Sequence, residues 1–591
     1  MANYTPDAKL FQETWNLPDN PFPFLGADQY AEEEILSLFE IDRGTTLRAF
    51  SLQNSIIEGS YGTGKTMLLK AIYAFHYSKM IVDIAENKSA EVIPIYLKFS
   101  DLPYGSTDLY KDLILHIYKK ILDTRFLILS FLNNDAWFPK FKNWLNRLTK
   151  SGVFSEDKRY SELTSETVTK RVTQMFKTEG EIGFDWLNKL GGAYEKEYEA
   201  ELLKKPKPGI IDIENLFINH FQKICGKVLL LIDEVDTLPT NAFEKNSSNK
   251  LSIYEVLFNQ FRTNKHFLYK IAVYPNTASS SQVEGSRIGT RIKLGFNIKD
   301  EKDFTLARDF FYRILKSYLN YCAEKEIDTK KFFHIQYIDN PSKYIKRVFK
   351  VDNQKYGDSL EQLVFGSKGI VRRFIKLAGD SMLISLRKNR ERLIVNKYDV
   401  FDSMRDFGRE LIERLPENNR ALMDRIAFYT IQNKVFRFRA IGNEDFLLSF
   451  YDNFKQDNVL YPILDQDRKG TNYFFEFDYC YCLYRNIPTH YFLNAEKVSR
   501  SRSLVNGKWI IKSTKVPNYI LNLEAKIEGT IKNYNPKEGW GFIKYLPTKD
   551  LFFHKVNIVA YSSSGIKPGG KVSFRIGSNY KGECAVDIQL L

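Results

Sequence analysis

At 591 residues the chain is too long for one hydrophobic core, which implies roughly two to four domains. Its 43% hydrophobic and 27% charged residues are ordinary for a soluble globular protein, and no apolar run reaches the ~20 residues that cross a bilayer, so no membrane partner is expected. The excess of 86 basic over 72 acidic residues, a formal charge of +14, suits a polyanionic partner or, equally, a solvated basic surface. The first residues, MANYTPDAKLFQETW, hold no apolar core of a signal peptide. The cysteines (Cys225, Cys322, Cys480, Cys482, Cys584) are scattered, and no Cys/His set has zinc-site spacing, so a reduced, cytoplasmic protein is expected.

Residues 55–75, SIIEGSYGTGKTMLLKAIYAF, predict a short apolar strand, a glycine-rich turn and a helix. Gly59, Ser60, Tyr61, Gly62, Thr63, Gly64, Lys65 and Thr66 fill the phosphate-loop pattern GxxxxGK[ST], the Walker A motif. Its glycines let backbone N–H groups curl toward a β-phosphate, Lys65 is placed to reach the β- and γ-phosphates, and the Thr66 hydroxyl to bind Mg²⁺. The expected ligands are therefore ATP and Mg²⁺. IPIYLKFSDL (93–102) and DLYKDLILHIYKKIL (108–122) predict the next strand and helix. Residues about 124–206 read as an extra helical segment ending at the turn signal PKPG. KVLLLIDEVDTLP (227–239) is a continuous apolar run, as in a central parallel strand, ending in Asp233 and Glu234. Asp233 fits the Walker B position that holds Mg²⁺, and Glu234 the carboxylate that polarises an attacking water.

At this point the chain resembles the AAA+ ATPases, within them the origin-recognition and replication-initiator clade, over roughly residues 15–410. Three further stretches carry the resemblance. LYKIAVYPNT places Asn276 where the clade has its sensor 1 residue. RIGTRIKLGF resembles a segment that makes Arg287 and Arg291 arginine-finger candidates. GSKGIVRRFIKLAGDSM looks like the lid helix, with Gly369 and Arg372 in sensor 2 spacing, and IVNKYDVFDSMRDF is similar to the last lid helix. The resemblance implies an α/β P-loop AAA+ core at 1–300, with the helical insertion, and a helical lid at 301–410. A finger acting in trans would imply a homo-oligomer or a partner ATPase.

NRALMDRIAFYTIQNK and NEDFLLSFYDNFKQDN have helical spacing. VLYPILDQDRKGTNYFFEFDYCYCLY reads as two strands around a turn that exposes Arg468 and Lys469. Helices followed by a basic hairpin resemble a winged helix over 411–490, a fold that reads duplex DNA with one helix and touches phosphate with its wing; a similar shape used only for packing is the alternative. The basic, serine-rich stretch 491–525 is expected to be a linker lying against phosphate.

From 526 the tail resembles a cold-shock domain, a five-stranded OB-type β-barrel. GTIKNYNPKEGWGFI and DLFFH match that family's aromatic-bearing strands. Side chains two apart on a strand share a face, so Trp540 with Phe542, and Phe552 with His554, are expected to form one stacking surface for single-stranded DNA or RNA. Lys532, Tyr534 and Lys544 are expected beside it, with the glycines flanking Trp540 leaving room for bases. Two positions depart from the family: Asn533 replaces an aromatic, and Glu538 replaces a lysine.

The expectation is a nucleic-acid-binding ATPase that switches or remodels its grip through winged-helix-like and cold-shock-like domains. The alternative is a slowly hydrolysing sensor or scaffold, as in bacterial anti-phage defence, that detects foreign nucleic acid.

Overall fold

The computed structural model describes residues 6–132, 208–275, 290–324, 345–488 and 502–591, apart from short breaks inside those ranges. The helical reading of 124–206 lies largely outside the described residues, as do Asn276, Arg287, Arg468 and Lys469.

Five parallel strands build the first layer: β1 (Ser55–Glu58), β2 (Ala90–Lys98), β3 (Cys225–Asp233), β4 (Phe267–Val273) and β5 (Thr290–Lys293), in spatial order β2-β3-β4-β1-β5. The apolar run of β3 is explained by its place inside the sheet, where Val228–Ile232 are fully buried. Helix α1 (Lys65–Ala85) follows β1, and α2 (Leu109–Leu132) follows β2. Because every pairing is parallel, the turn after β1 and the carboxylates at the end of β3 open on the same edge of the sheet. That edge is where open α/β sheets hold their ligands.

Four helices come next: α3 (Glu301–Glu324), α4 (Ser359–Ser367), α5 (Val371–Arg387) and α6 (Lys397–Glu413). Polar side chains close their ends: Asp358 caps α4, and Asn396 with Asp399 forms a capping box on α6.

The middle region contains α7 (Glu417–Gln432), β6 (Arg437–Arg439), β7 (Leu460–Asp467), β8 (Gly470–Phe477) and α8 (Tyr479–Arg485). β7 and β8 form the expected hairpin. Its second strand ends earlier than the sequence suggested, because Asp478 accepts the Cys480 N–H at 2.9 Å and starts a helix through Tyr479–Arg485. The stretch expected as a linker also differs. It holds the antiparallel pair β9 (Arg502–Val505) and β10 (Lys508–Ile511), and then β11 (Ser513–Lys515), which joins β6 in parallel at the edge of the middle sheet. Val516, Ile520 and Leu521 are buried just beyond it, and these apolar anchors make the segment part of the fold. One contiguous core runs from Phe11 to Leu521.

The last five strands, β12 (Ile527–Asn535), β13 (Trp540–Leu546), β14 (Lys549–His554), β15 (Lys571–Asn579) and β16 (Gly582–Leu590), close into a barrel in the order β12-β13-β14-β16-β15. The barrel has its own core, including Ile531, Ile543, Leu551, Phe553 and Phe574.

Candidate functional site

Two sites stand apart in the chain. The first is the turn between β1 and α1. Gly62 has φ +79° and Gly64 φ +95°, a region that L side chains seldom enter, and a Cβ at Gly59 would collide with the Thr63 hydroxyl. The turn is tied across by Thr63 Oγ1 donating to the Ser60 carbonyl at 2.8 Å. Lys65 opens α1 and donates to the carbonyls of Gly59 (2.7 Å) and Ser60 (3.1 Å), with its ammonium 3.8 Å from the centre of the Tyr274 ring. Burial lowers its pKa to about 8, partly offset by the charges of Asp233 and Asp236.

Asp233 is buried at the end of β3 and accepts the Tyr96 hydroxyl proton at 2.8 Å. Glu234 takes a left-handed backbone conformation, φ +57°, and its carboxylate accepts from the Ser100 hydroxyl and lies 3.9 Å from Lys98 Nζ. Thr66 lines the same cavity, of about 340 Å³. Sequence reasoning did not single out Tyr96, Lys98, Ser100 or Tyr274; they sit at strand ends, where no spacing marks them.

Arg372, at the start of α5, reaches the turn. Its backbone N–H donates to the Gly62 carbonyl at 3.0 Å, and its guanidinium lies 4.7 Å over the Tyr61 ring. A Cβ at Gly62 would press on the Arg372 side chain, so this glycine serves the contact with α5 as well as the turn. Arg291 is placed differently from Arg372. It sits on β5 and bonds Glu58 of β1 at 3.1 Å within the same chain. No cluster of three His, Cys, Asp or Glu side chains able to hold a metal ion occurs among the described residues.

The second site is the outer face of the barrel. Trp540 pairs with His554, and Phe542 with Phe552, in register across β13 and β14. All four rings are half-buried, while the intervening Ile543, Leu551 and Phe553 point into the core. Trp540 meets Phe542 edge-on with centroids 5.9 Å apart, and Phe542 meets Phe552 the same way at 5.9 Å. These rings do stand together.

Three details differ from the expectation. A bulge between Ile531 and Asn533 shifts the alternation of β12, so Asn533 and Asn535 face outward opposite Phe542 and Trp540. Tyr534 therefore turns toward the core and stacks on the buried Phe553 at 5.8 Å, off the ring surface. The glycines beside Trp540 also have another cause. Gly539 has φ +76°, and a Cβ on Gly541 would strike the Asn533 carbonyl and the Phe553 ring, so both answer to the barrel's own geometry. Finally, Lys532 is exposed but ion-paired with Asp550, while Lys544 stands exposed on the same strand as Trp540 and Phe542.

Residues 527–591 match the family model of the 'Cold-shock' DNA-binding domain. The C-terminal barrel is a cold-shock domain. This supports nucleic-acid binding by the chain. No curated protein matches the chain. No described helix is long and apolar enough to cross a membrane.

Proposed function

We propose that the protein is an AAA+-type ATPase that uses ATP binding and hydrolysis to change its grip on nucleic acid held by the cold-shock domain. The observation that carries this reading is two sets of polar contacts, one joining the glycine turn to the middle region and one joining the middle region to the barrel. Arg372 of α5 bonds Gly62 through its backbone, and the next residue, Arg373, is fully buried against Asp478 of the middle region at 2.8 Å. Lys368, just before α5, lies 3.3 Å from Glu476 of β8. From the far side of the middle region, Arg425 of α7 donates to the carbonyls of Asn522 (3.3 Å) and Ile576 of the barrel (2.9 Å). On this reading a shift of α5 at the turn is passed through the middle region to the barrel that carries the rings.

The residues present fit ATP. The turn lines the cavity with Gly62 and Gly64 in backbone conformations that L side chains seldom enter, and Lys65 is a desolvated cation whose hydrogen bonds go to carbonyls of the turn. Mg²⁺ suits one hydroxyl, Thr66, and one carboxylate, Asp233, since it keeps several waters and substrate oxygens in its shell. ATP supplies a phosphoryl group whose transfer to water is favourable. Lys65 and Arg372 would neutralise its oxygens, and Glu234 would orient the water. A finger from a neighbouring subunit fits Arg287 better than Arg291, whose guanidinium is already engaged by Glu58. Asn276 would assist in orienting the water.

One observation favours the slower, sensor-like version. Glu234 is held by Ser100 and Lys98, and that grip must loosen before its carboxylate can serve a water. ATPase rate with and without single-stranded DNA, duplex DNA and RNA separates the versions: a remodeller shows sustained, stimulated turnover, and a sensor shows a bound-state switch. Glu234→Gln is expected to keep ATP bound and abolish turnover. Equal ATP affinity in wild type and Lys65→Ala would overturn the whole reading.

A further inference from the structure

The two departures from the cold-shock pattern lie on the ring surface itself, and one of them carries selectivity. Asn533 is exposed and its Oδ1 accepts the Phe542 N–H at 3.1 Å, a bond that does not use its amide N–H₂. Every base offers an acceptor to such a donor, so Asn533 adds affinity without preference.

Glu538 is different. One carboxylate oxygen accepts the Trp540 indole N–H at 2.5 Å, so the carboxylate lies at the rim of that ring. The turn carrying it is well held. Asn535 Oδ1 accepts the N–H groups of Lys537 (3.1 Å) and Glu538 (3.4 Å), and the Gly539 N–H bonds the Asn535 carbonyl at 2.8 Å. The Lys555 N–H then closes onto the Gly539 carbonyl at 2.7 Å. A carboxylate has about four acceptor sites and no donor, so the second oxygen and the remaining lone pair of the first stay open to a ligand.

We propose that Glu538 makes the Trp540 position selective for a base with N–H donors on its Watson–Crick edge, guanine above all, and against thymine or uracil. Guanine offers N1–H and N2–H side by side, a spacing that a carboxylate accepts in two parallel bonds. Cytosine and adenine offer one amino group. Thymine and uracil offer a single N3–H between two carbonyl oxygens, which a carboxylate repels. Single-stranded bases stacked on aromatic rings are read on this edge. The same carboxylate also weakens phosphate attraction at the rim, leaving that task to lysines such as Lys544. The inference rests on the nucleic-acid part of the function proposed above.

The test uses the full chain and dye-labelled heptamers followed by fluorescence anisotropy at one salt concentration. The series is oligo-dT with its central base kept, or replaced by guanine, cytosine or hypoxanthine. The guanine heptamer should bind about 5- to 100-fold tighter than oligo-dT, the range of one good bidentate contact. Hypoxanthine, which keeps N1–H but lacks the N2 amino group, should lose most of that gain. Glu538 sits on an exposed turn, so its variants should fold. Glu538→Gln, able to donate as well as accept, should bring the series within about twofold, and Glu538→Lys should bind all heptamers tighter with a salt slope steeper by about one. Wild-type binding that ignores the central base, or a guanine gain that survives Glu538→Gln, overturns the inference while leaving the ring surface intact. Failure to bind any heptamer removes the ring surface and the inference together.

Discussion

The glycine turn and the barrel face both present a lysine beside an aromatic ring, yet they hold these groups in opposite ways. Lys65 is buried over Tyr274, with its proton affinity lowered and its hydrogen bonds taken by carbonyls. Lys544 is exposed on the strand that carries the half-buried Trp540 and Phe542. A desolvated cation in a shaped cavity interacts strongly with one ligand and is poorly screened by salt. An exposed lysine gains mainly by releasing counterions, while aromatic rings stack on any base. In the proposed function the turn thus takes a single small anion, and the barrel face a long, variable one.

The contrast breaks most visibly if the rings are part of the barrel core. Phe542→Ala with Phe552→Ala should weaken single-strand binding by ~2–6 kcal/mol, the loss of about two stacked bases. The slope of affinity against salt should not change, because stacking releases no counterions, whereas Lys544→Ala should flatten that slope with a smaller loss. Binding titrations over a range of salt, with circular dichroism to confirm the barrel, check this. A folded double variant that binds like wild type would make these rings structural.

Much of both sites was legible because each depends on local spacing. The glycine turn is eight consecutive residues, and the paired rings follow from a period of two. What escaped depends on distant or irregular geometry. The bulge in β12 reverses the faces of the residues after it, so Tyr534 could not be placed from alternation alone. Tyr96 reaches Asp233 across 137 residues of sequence, and Arg373 reaches Asp478 across 105. Ser513–Lys515 joins the middle sheet by pairing with a strand more than seventy residues earlier, which its polar composition does not announce.

The next test cuts the connection between the two regions. Arg373 and Asp478 are both buried, and removing one member of a buried pair leaves the other charge uncompensated. Arg373→Met should therefore cost ~3–5 kcal/mol of stability by denaturant unfolding, and Arg373→Met with Asp478→Asn should recover much of it. Asparagine retains the side-chain oxygen that caps α8. If the contacts transmit ATP binding, the recovered double variant should bind ATP and oligonucleotide separately but lose the effect of one on the other. Coupling that persists unchanged would show that the two sites communicate by another route.

The smallest effect is also the one that most directly separates the two kinds of lysine. Burial lowers the Lys65 pKa from 10.5 to about 8, so between these values the unfolded chain carries a proton that the folded chain does not. Stability from this group therefore rises with pH across that window. Lys270, buried on β4 with its ammonium bonded to the Ser51 and Gln53 carbonyls, is lowered to about 7 and contributes in the same direction. Affinity for a phosphate anion moves the other way. Only protonated Lys65 attracts it, so above pH 8 each binding event must take up a proton, and the affinity for ATP should fall about tenfold per pH unit, ~1.4 kcal/mol. Calorimetry in buffers of different ionisation enthalpy should find little proton uptake at Lys65 near pH 7 and nearly one proton near pH 9. Stacking carries no proton, so oligonucleotide binding by the barrel serves as the control over the same range. Equal proton uptake at the two pH values would mean that Lys65 keeps its charge throughout, and that the turn treats its lysine much as the barrel face treats Lys544.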